Sequence, residues 1–214
     1  MKYKKFYRKT SLKQKDIGDL FLSEVQRKNP KHFLEIGVFH GVTGRNVCDL
    51  MHKNHGNKFR YIGIDIFDED KKYRNEIVPK YKFNNPLKNF YFKFIKRQNP
   101  YSIEAVRELL NKYKDNVEII KGNSNNILKT LELKNVDYIF IDGGHDYKTV
   151  KNDLFYSKNF LAEGGIILCD DYHLTYAPGV RKAIEEFACN IQGVPRDQLR
   201  LPANTVSMSQ WVTL

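Results

Sequence analysis

Short apolar runs alternate with helix-like segments along this chain, and that alternation limits its fold more than any other feature. The apolar runs cover residues 32–39, 59–67, 116–122, 136–142 and 164–171, and the helix-like segments cover 11–29, 42–51, 101–114, 125–133, 146–161 and 179–189. Strands joined through helices form a parallel sheet with helices on both faces and right-handed crossovers. The pattern therefore predicts an α/β, Rossmann-like, doubly wound sheet, with two weaker strand signals after the last helix.

Glycine or polar residues stand where each predicted strand ends. They are Gly37 after the first strand, Asp65 after the second, Asn123 and Ser124 after the third, Asp142 after the fourth, and Asp170 and Asp171 after the fifth. In open α/β sheets, ligands bind beyond the carboxyl ends of the strands, near the point where the strand order reverses. We therefore expect the functional site at this edge of the sheet.

The loop after the first strand contains three glycines, Gly37, Gly41 and Gly44. Glycines between a strand and a helix let the backbone approach a ligand closely, and the helix amino end that follows favours a carboxylate or phosphate. Asp65 lies about twenty residues after the last of these glycines. At the end of the second strand its carboxylate can accept both hydroxyls of a ribose, so the pair suggests an adenosine-containing cofactor.

Composition favours one folded domain over residues 1–214. A chain of 214 residues suits a single core, and 41% hydrophobic residues argue against extended disorder. The basic start is not followed by a signal-peptide core, and no window approaches the roughly 18 apolar residues of a membrane span. We therefore expect a cytoplasmic protein with no membrane partner. Cys48, Cys169 and Cys189 lack paired spacing, which indicates reduced thiols.

The net charge of +11 raises the question of a polyanionic partner. Lysine far exceeds arginine, and Asn, Ile, Tyr and Phe are abundant, a combination that AT-rich coding gives without a selected binding role. Nucleic-acid contact therefore stays open. Residues 1–30 form a basic helical segment, and residues 68–100, rich in Lys and aromatics, interrupt the strand and helix rhythm. We interpret 68–100 as a substrate-side insertion, with a mobile solvated loop as the alternative.

Two cofactors fit the first loop. Its glycines resemble those of short-chain dehydrogenases, and Tyr147 and Lys151 supply a Y-x-x-x-K pair. However, that family carries its tyrosine after the fifth strand, whereas Tyr147 follows the fourth, and the glycine spacing differs by one residue. The alternative is S-adenosylmethionine, and three longer segments favour it.

These segments are FLEIGVFHGVTG (33–44), YIGIDIF (61–67) and the run VDYIFIDGGHDYKTVKNDLFYSKNFLAEGGIILCDDYH (136–173). Together they resemble class I methyltransferases, and more closely the metal-dependent group of catechol-type and macrolide-sugar O-methyltransferases. The resemblance covers most of residues 31–190. It implies a seven-stranded, mostly parallel sheet whose last strand is antiparallel.

By this resemblance, the cofactor is S-adenosylmethionine. Glu35, Gly37 and Gly41 would line its methionine end, Asp65 its ribose, and Asn123 with Ser124 its adenine. Further cofactor contacts are expected from Val38, Thr43, Ile66, Asp142 and Gly143. Relatives often carry an acid at the position of Asn123, so this chain departs from the pattern there.

The same resemblance implies a metal site of Asp142, Asp170 and Asp171. Three carboxylates at adjacent strand ends would repel one another unless a cation or protons neutralised them. Oxygen ligands favour Mg²⁺, Mn²⁺ or Ca²⁺ over zinc. The alternatives are that Asp142 bonds the following helix and that Asp170 and Asp171 end their strand in a solvated turn.

His145 follows Asp142 by three residues, where sugar-type relatives carry a histidine. We therefore expect His145 and Asp142 to be catalytic, with His145 as general base because imidazole titrates near neutral pH. His173 is the second candidate for the base. Asp146 fits a helix N-cap. We interpret His32, His40, His52 and His55 as surface or packing residues.

The sequence thus predicts an O-methyltransferase that acts on a hydroxyl of a sugar, glycan or small metabolite, with help from a divalent metal. One alternative is a nucleic-acid methyltransferase that uses the basic insertion. Another is an inactive cofactor-binding module or the short-chain dehydrogenase. The oligomeric state stays open, with a homodimer among the options.

Overall fold

The structure is a computed structural model that describes residues 1–12, 14–67, 83–173, 175, 177–192 and 212–213. The helices are α1 (Lys15–Lys28), α2 (Val42–His55), α3 (Pro86–Phe90), α4 (Ile103–Leu110), α5 (Ser124–Thr130), α6 (Tyr147–Phe160) and α7 (Pro178–Gln192). The strands are β1 (His32–Ile36), β2 (Arg60–Asp65), β3 (Val117–Lys121), β4 (Val136–Ile141), β5 (Leu161–Cys169) and β6 (Val212–Thr213). Among these helices, none combines the length and the apolar character needed to cross a bilayer.

The strands form one sheet in the order β3-β2-β1-β4-β5-β6. The first five are parallel, and the two-residue β6 pairs antiparallel with β5. The chain moves outward in one direction through β2 and β3 and in the other through β4 and β5. The strand order therefore reverses between β1 and β4, which is where a ligand site is expected.

Each face of the sheet is covered by helices because successive strand residues point to opposite sides. On one side Phe33 and Phe140 pack with Phe21 of α1 and Val47 of α2. On the other side the neighbouring strand residues pack against α5, α6 and α7, as in the cluster of Leu34, Ile139, Leu128, Leu154 and Ile184. The central strands β1, β2 and β4 are largely buried on both faces, which explains their nearly continuous apolar runs.

Local sequence signals set the helix ends. Asn29, just before Pro30, closes α1 in the left-handed region at φ 53° and donates its backbone N–H to Val25. The Ser102 side chain accepts from the Ala105 N–H at the start of α4, and Asp146 caps α6 in the same way. The interpretation of Asp146 as an N-cap is therefore confirmed.

The described elements match the predicted α/β, Rossmann-like arrangement of strands and helices. Six strands lie within the described residues, so the predicted seventh strand stays a prediction. The strand signal at Trp211 lies beside β6 but outside the described residues. Cys48 and Cys169 are buried free thiols, as expected, and the side chain of Cys189 lies outside the description.

The insertion is described from residue 83 onward, and residues 68–82 lie outside the description. After α3 the chain continues in a π-helical turn, Tyr91–Ile95. Phe92 anchors this turn, because it is buried and stacks on Phe83 with 5.2 Å between the ring centroids. The other apolar side chains of the segment face solvent: Leu87, Phe90, Tyr91, Phe94 and Ile95.

Candidate cofactor and metal site

The predicted site residues lie along one edge of the sheet, in the order of the strands. Ladder hydrogen bonds continue past the strand ends: Gly37 N–H donates to Ile64, Asp142 N–H to Ile36, and Asp170 N–H to Ile141, at 2.8 to 2.9 Å. In spatial order across the sheet, from β3 to β5, the edge therefore carries Asn123 and Ser124, then Asp65, Gly37, Asp142, and Asp170 with Asp171. An extended ligand lying across this edge would meet all of them.

Gly37 makes the closest backbone approach in the site. Its φ is +99°, and a Cβ atom built on it would lie 2.0 Å from the carbonyl oxygen of Asp142. A side chain at this position would be strained by the backbone and would also collide with β4's end. The sequence therefore needs glycine here to hold the ends of β1 and β4 together at the switch point.

Asp65 is held by donors on all sides. Its Oδ2 accepts from the Phe39 N–H at 2.7 Å, and its Oδ1 accepts from the Phe67 N–H at 3.0 Å and from the Tyr101 hydroxyl at 2.8 Å. Burial raises the pKa of Asp65, and these hydrogen bonds act in the opposite direction. The carboxylate predicted for the ribose is thus oriented, and sequence analysis did not find Tyr101.

Glu35 lies within the sheet, fully buried on β1. The Tyr61 hydroxyl on β2 donates to its Oε2. Burial raises the pKa of Glu35 to about 8, although the bond from Tyr61 lowers it. Burial therefore favours the neutral, protonated form of Glu35, which lines the methionine end of the predicted site.

The residues predicted for adenine follow β3. The Asn123 side chain accepts from the Asn125 N–H at 2.9 Å and so caps α5, while Ser124 is buried in the first turn. Asn is among the residue types that cap helices well, so this role fits its position before α5. Ile66 follows β2 directly, beside Asp65.

Asp142, Asp170 and Asp171 converge as predicted. One carboxylate oxygen from each lies within 4.8 Å of the others. Burial raises the pKa of Asp142 well above its usual range, and the negative charges of Asp170 and Asp171 raise it further. Three close, hard oxygen donors that oppose one another's ionisation fit a divalent cation such as Mg²⁺. A cleft of about 230 Å³, open to solvent, borders these side chains and Gly143.

His145 lies against this cluster. Its Nε2 is 2.7 Å from Oδ2 of Asp171, and both side chains are mostly shielded from solvent. The Gly143-Gly144 segment between Asp142 and His145 thus lets the imidazole reach the carboxylates. His173, the second candidate for the base, is exposed in the turn after β5.

Residues 37–41 connect β1 to α2 and are here called the cofactor loop. Residues 3–12, here called the N-terminal strap, cover this loop. The Tyr3 hydroxyl lies 2.7 Å from Thr10 Oγ1 and 2.9 Å from Thr43 Oγ1. The Ser11 side chain hydrogen-bonds the carboxylate of Asp142. A cleft of about 170 Å³ between the strap and the loop is lined by Thr10, Glu35, Gly37, Val38, Thr43 and Asp142 among others. Sequence analysis did not find these contacts.

Two other predictions concern residues beside the site. His40 in the cofactor loop is fully buried, and its Nδ1 accepts from the Lys9 N–H of the strap at 3.3 Å, which confirms a packing role.

Tyr147 and Lys151 join α6 to α7, because the Tyr147 hydroxyl donates to Glu186 and accepts from Lys151. Their dehydrogenase-like spacing is a coincidence.

Comparison with known proteins agrees with this geometry. The family described as "Methyltransferase domain" matches residues 34–172, from β1 to the turn after β5. An uncharacterized protein of Acanthamoeba polyphaga mimivirus is 37% identical over 67 residues. That match spans 31% of this chain and only 30% of the viral protein's length.

Solved structures share the fold at low sequence identity. The S-adenosylhomocysteine-bound methyltransferase PaMTH1 of Podospora anserina is 22% identical, with a TM-score of 0.57 over 94% of this chain and 77% of its own. CalS11, a TDP-rhamnose 3'-O-methyltransferase of calicheamicin biosynthesis, is 16% identical, with a TM-score of 0.59 over 95% of this chain and 80% of its own.

Proposed function

This chain belongs to the methyltransferase domain family, and from that premise we propose that it transfers a methyl group from S-adenosylmethionine to a hydroxyl oxygen. The observation that carries the proposal is the row of groups along the sheet edge, which ends at His145 beside three converging carboxylates. The family membership makes the dehydrogenase alternative wrong. The remaining alternatives concern the acceptor and the activity of the site.

The row suits each part of the cofactor in turn. Asn123 and Ser124 would meet the adenine, Asp65 would accept from the ribose, and the neutral Glu35 with Gly37, Val38, Gly41 and Thr43 would surround the methionine end. S-adenosylmethionine supplies an electrophilic methyl group on a sulfonium. A solved relative in fold, PaMTH1, holds S-adenosylhomocysteine, which supports this choice of cofactor.

His145 is the proposed general base. A neutral hydroxyl is a weak nucleophile, so removal of its proton during attack lowers the barrier. The contact with Asp171 orients the imidazole and stabilises the positive charge that it gains with the proton. Asp142, between the cofactor loop and His145, would position the acceptor so that its oxygen lies in line with the methyl group.

The carboxylates would hold a divalent ion through oxygen atoms of Asp142, Asp170 and Asp171. Such an ion, when bound, would supply charge stabilisation for an ionised acceptor oxygen. The protein's own contribution is the fixed spacing of the three side chains, which are anchored to the ends of β4 and β5. Burial and the repulsion from Asp170 and Asp171 raise the pKa of Asp142, and a cation would relieve that repulsion.

The acceptor is proposed to be a sugar, glycan or small metabolite. The N-terminal strap and the described part of the insertion cover the site, since Arg8 bonds the carbonyls of His40 and Ala105 and lies over the Phe92 ring. The cleft beneath the strap lies between Thr10 and the loop residues Gly37 and Val38, at the methionine end of the proposed cofactor position.

The direct test of the base is methyl transfer from labelled S-adenosylmethionine to a panel of sugar and phenolic hydroxyls. His145→Ala is expected to lower kcat by about 10²- to 10⁴-fold, the usual contribution of a general base. His173→Ala is the matched control and is expected to change kcat little. Equal losses in both variants would contradict the assignment of His145.

The metal proposal is tested by stability rather than activity. Asp170→Asn removes one of three opposing charges, so we expect a higher melting temperature than wild type without metal. The same variant is expected to lose the stabilisation that Mg²⁺ gives wild type. Glu118→Gln, at an exposed ion pair with Arg60, is the control. An unchanged response to Mg²⁺ in Asp170→Asn would exclude this cluster as the site.

A further inference from the structure

The Tyr101 hydroxyl donates to an Asp65 oxygen lone pair that a ribose hydroxyl would also use. An ionised carboxylate offers about four lone-pair positions to donors. Backbone N–H groups of Val38, Phe39 and Phe67 take up three of them, and the Tyr101 hydroxyl takes up the fourth. The acceptor capacity of Asp65 is therefore fully used within the protein.

Only one of these four donors is on a side chain. The three backbone donors are fixed by the turns after β1 and β2, where Phe39 and Phe67 both have positive φ angles, 52° and 45°. Tyr101 instead reaches Asp65 from the other side of the insertion, 36 residues along the chain. Displacement of the Tyr101 hydroxyl alone would free an Asp65 lone pair and leave the three backbone donors in place.

We propose that Tyr101 is a ribose gate: its hydroxyl bonds Asp65 until the cofactor ribose binds, and a ribose hydroxyl then takes its place. The inference rests on the proposed binding of S-adenosylmethionine at Asp65. In this role the Tyr101 hydroxyl weakens cofactor binding, because it competes with the ribose for Asp65. If Tyr101 merely held Asp65 in position, its hydroxyl would strengthen cofactor binding.

The Tyr101 side chain is buried, and its ring lies 5.8 Å from Phe39 and 5.9 Å from Phe67, centroid to centroid. Pro100 and Ser102 flank Tyr101 in the chain, and Ser102 is the N-cap of α4. The gate therefore connects the insertion with the cofactor edge.

Tyr101→Phe removes the competing hydroxyl and keeps the ring. Isothermal titration with S-adenosylhomocysteine is expected to give a Kd about three- to tenfold lower than wild type, because one hydrogen bond no longer has to be exchanged. Adenosine should show the same gain, whereas 2′,3′-dideoxyadenosine, which lacks the ribose hydroxyls, should show none. Tyr113→Phe is the matched control, because the Tyr113 hydroxyl also donates to an aspartate, Asp49, on α2. It is expected to leave all three affinities unchanged.

The outcomes separate the two proposals. If wild type does not bind S-adenosylhomocysteine, the proposed function fails. If wild type binds and Tyr101→Phe binds more weakly or equally, the gate is wrong. Should Tyr101→Phe not fold, 3-fluorotyrosine at position 101 of the full chain gives the answer by ¹⁹F NMR. Its resonance is expected to shift with adenosine and not with the dideoxy analogue, and the absence of that difference would also overturn the gate.

Discussion

Glu35 is a carboxyl group whose surroundings make a sharp stability prediction. Its pKa is about 8 in the folded protein, mainly because of burial, against about 4.3 in an unfolded chain. The unfolded state therefore loses its proton first as pH rises, and this group lowers the free energy of unfolding progressively between these two values. Glu35→Gln removes the titration, so we expect it to be more stable than wild type at pH 8, by a few kcal/mol at most.

The measurement is chemical unfolding of both proteins at pH 5, 7, 8, 9 and 10. The difference between Glu35→Gln and wild type should grow from pH 5 to pH 8 and then become constant. Glu118→Gln, at an exposed position, is the control for a general effect of charge. A difference that does not depend on pH would show that Glu35 is ionised in the fold.

For single residues, the sequence predicts those at the strand ends but not the side chains that hydrogen-bond to them. Asp65 and Asp142 were predicted because each ends an apolar run, and His145 was predicted from the family resemblance. Tyr101 and Tyr61 were missed because they are distant in sequence from the carboxylates that they bond. Tyr101 lies 36 residues from Asp65, and Tyr61 lies 26 residues from Glu35. No local signal distinguishes such a tyrosine from one that packs in the core.

The turn between β1 and α2 depends on the absence of a side chain at Gly37. We expect Gly37→Ala to destabilise the protein by more than about 2 kcal/mol, because it adds a collision with the Asp142 carbonyl to the cost of positive φ. Gly56→Ala is the matched control, since Gly56 also has positive φ, 60°, but a Cβ atom there meets nothing within 4 Å. Equal losses of stability in the two variants would show that the close approach of β1 and β4 is not needed.

Elements were predictable where apolar periodicity is strong. The predicted ranges of β1 to β4 and of α6 agree with the structure to within a few residues, because burial on the sheet or along one helix face fixes them. The N-terminal strap was not predictable as a structural unit. Its residues have no periodicity, and its position depends on separate bonds such as those of Tyr3 and Lys4 to α2.

The charge of the whole molecule bears on the nucleic-acid alternative. The described insertion carries Lys88, Lys93 and Arg97 beside exposed aromatic rings and contains no acidic residue from 83 to 97. Such a surface attracts nucleic acid by counterion release, which weakens steeply with salt. We expect single-stranded RNA to bind at low salt only and to receive no label from S-adenosylmethionine. Methylation of RNA at 150 mM salt would contradict the proposed class of acceptor.

Cofactor binding is the most direct test of the account as a whole. Titration calorimetry of S-adenosylhomocysteine into wild type is expected to show saturable binding to one site per chain. Asp65→Asn is expected to raise the Kd about tenfold or more, because it loses the charge that accepts the ribose hydroxyls. Asp49→Asn, which alters an aspartate on α2 bonded to Arg45, is expected to keep the wild-type Kd. No heat of binding in wild type, or equal affinities in wild type and Asp65→Asn, would contradict the central claim.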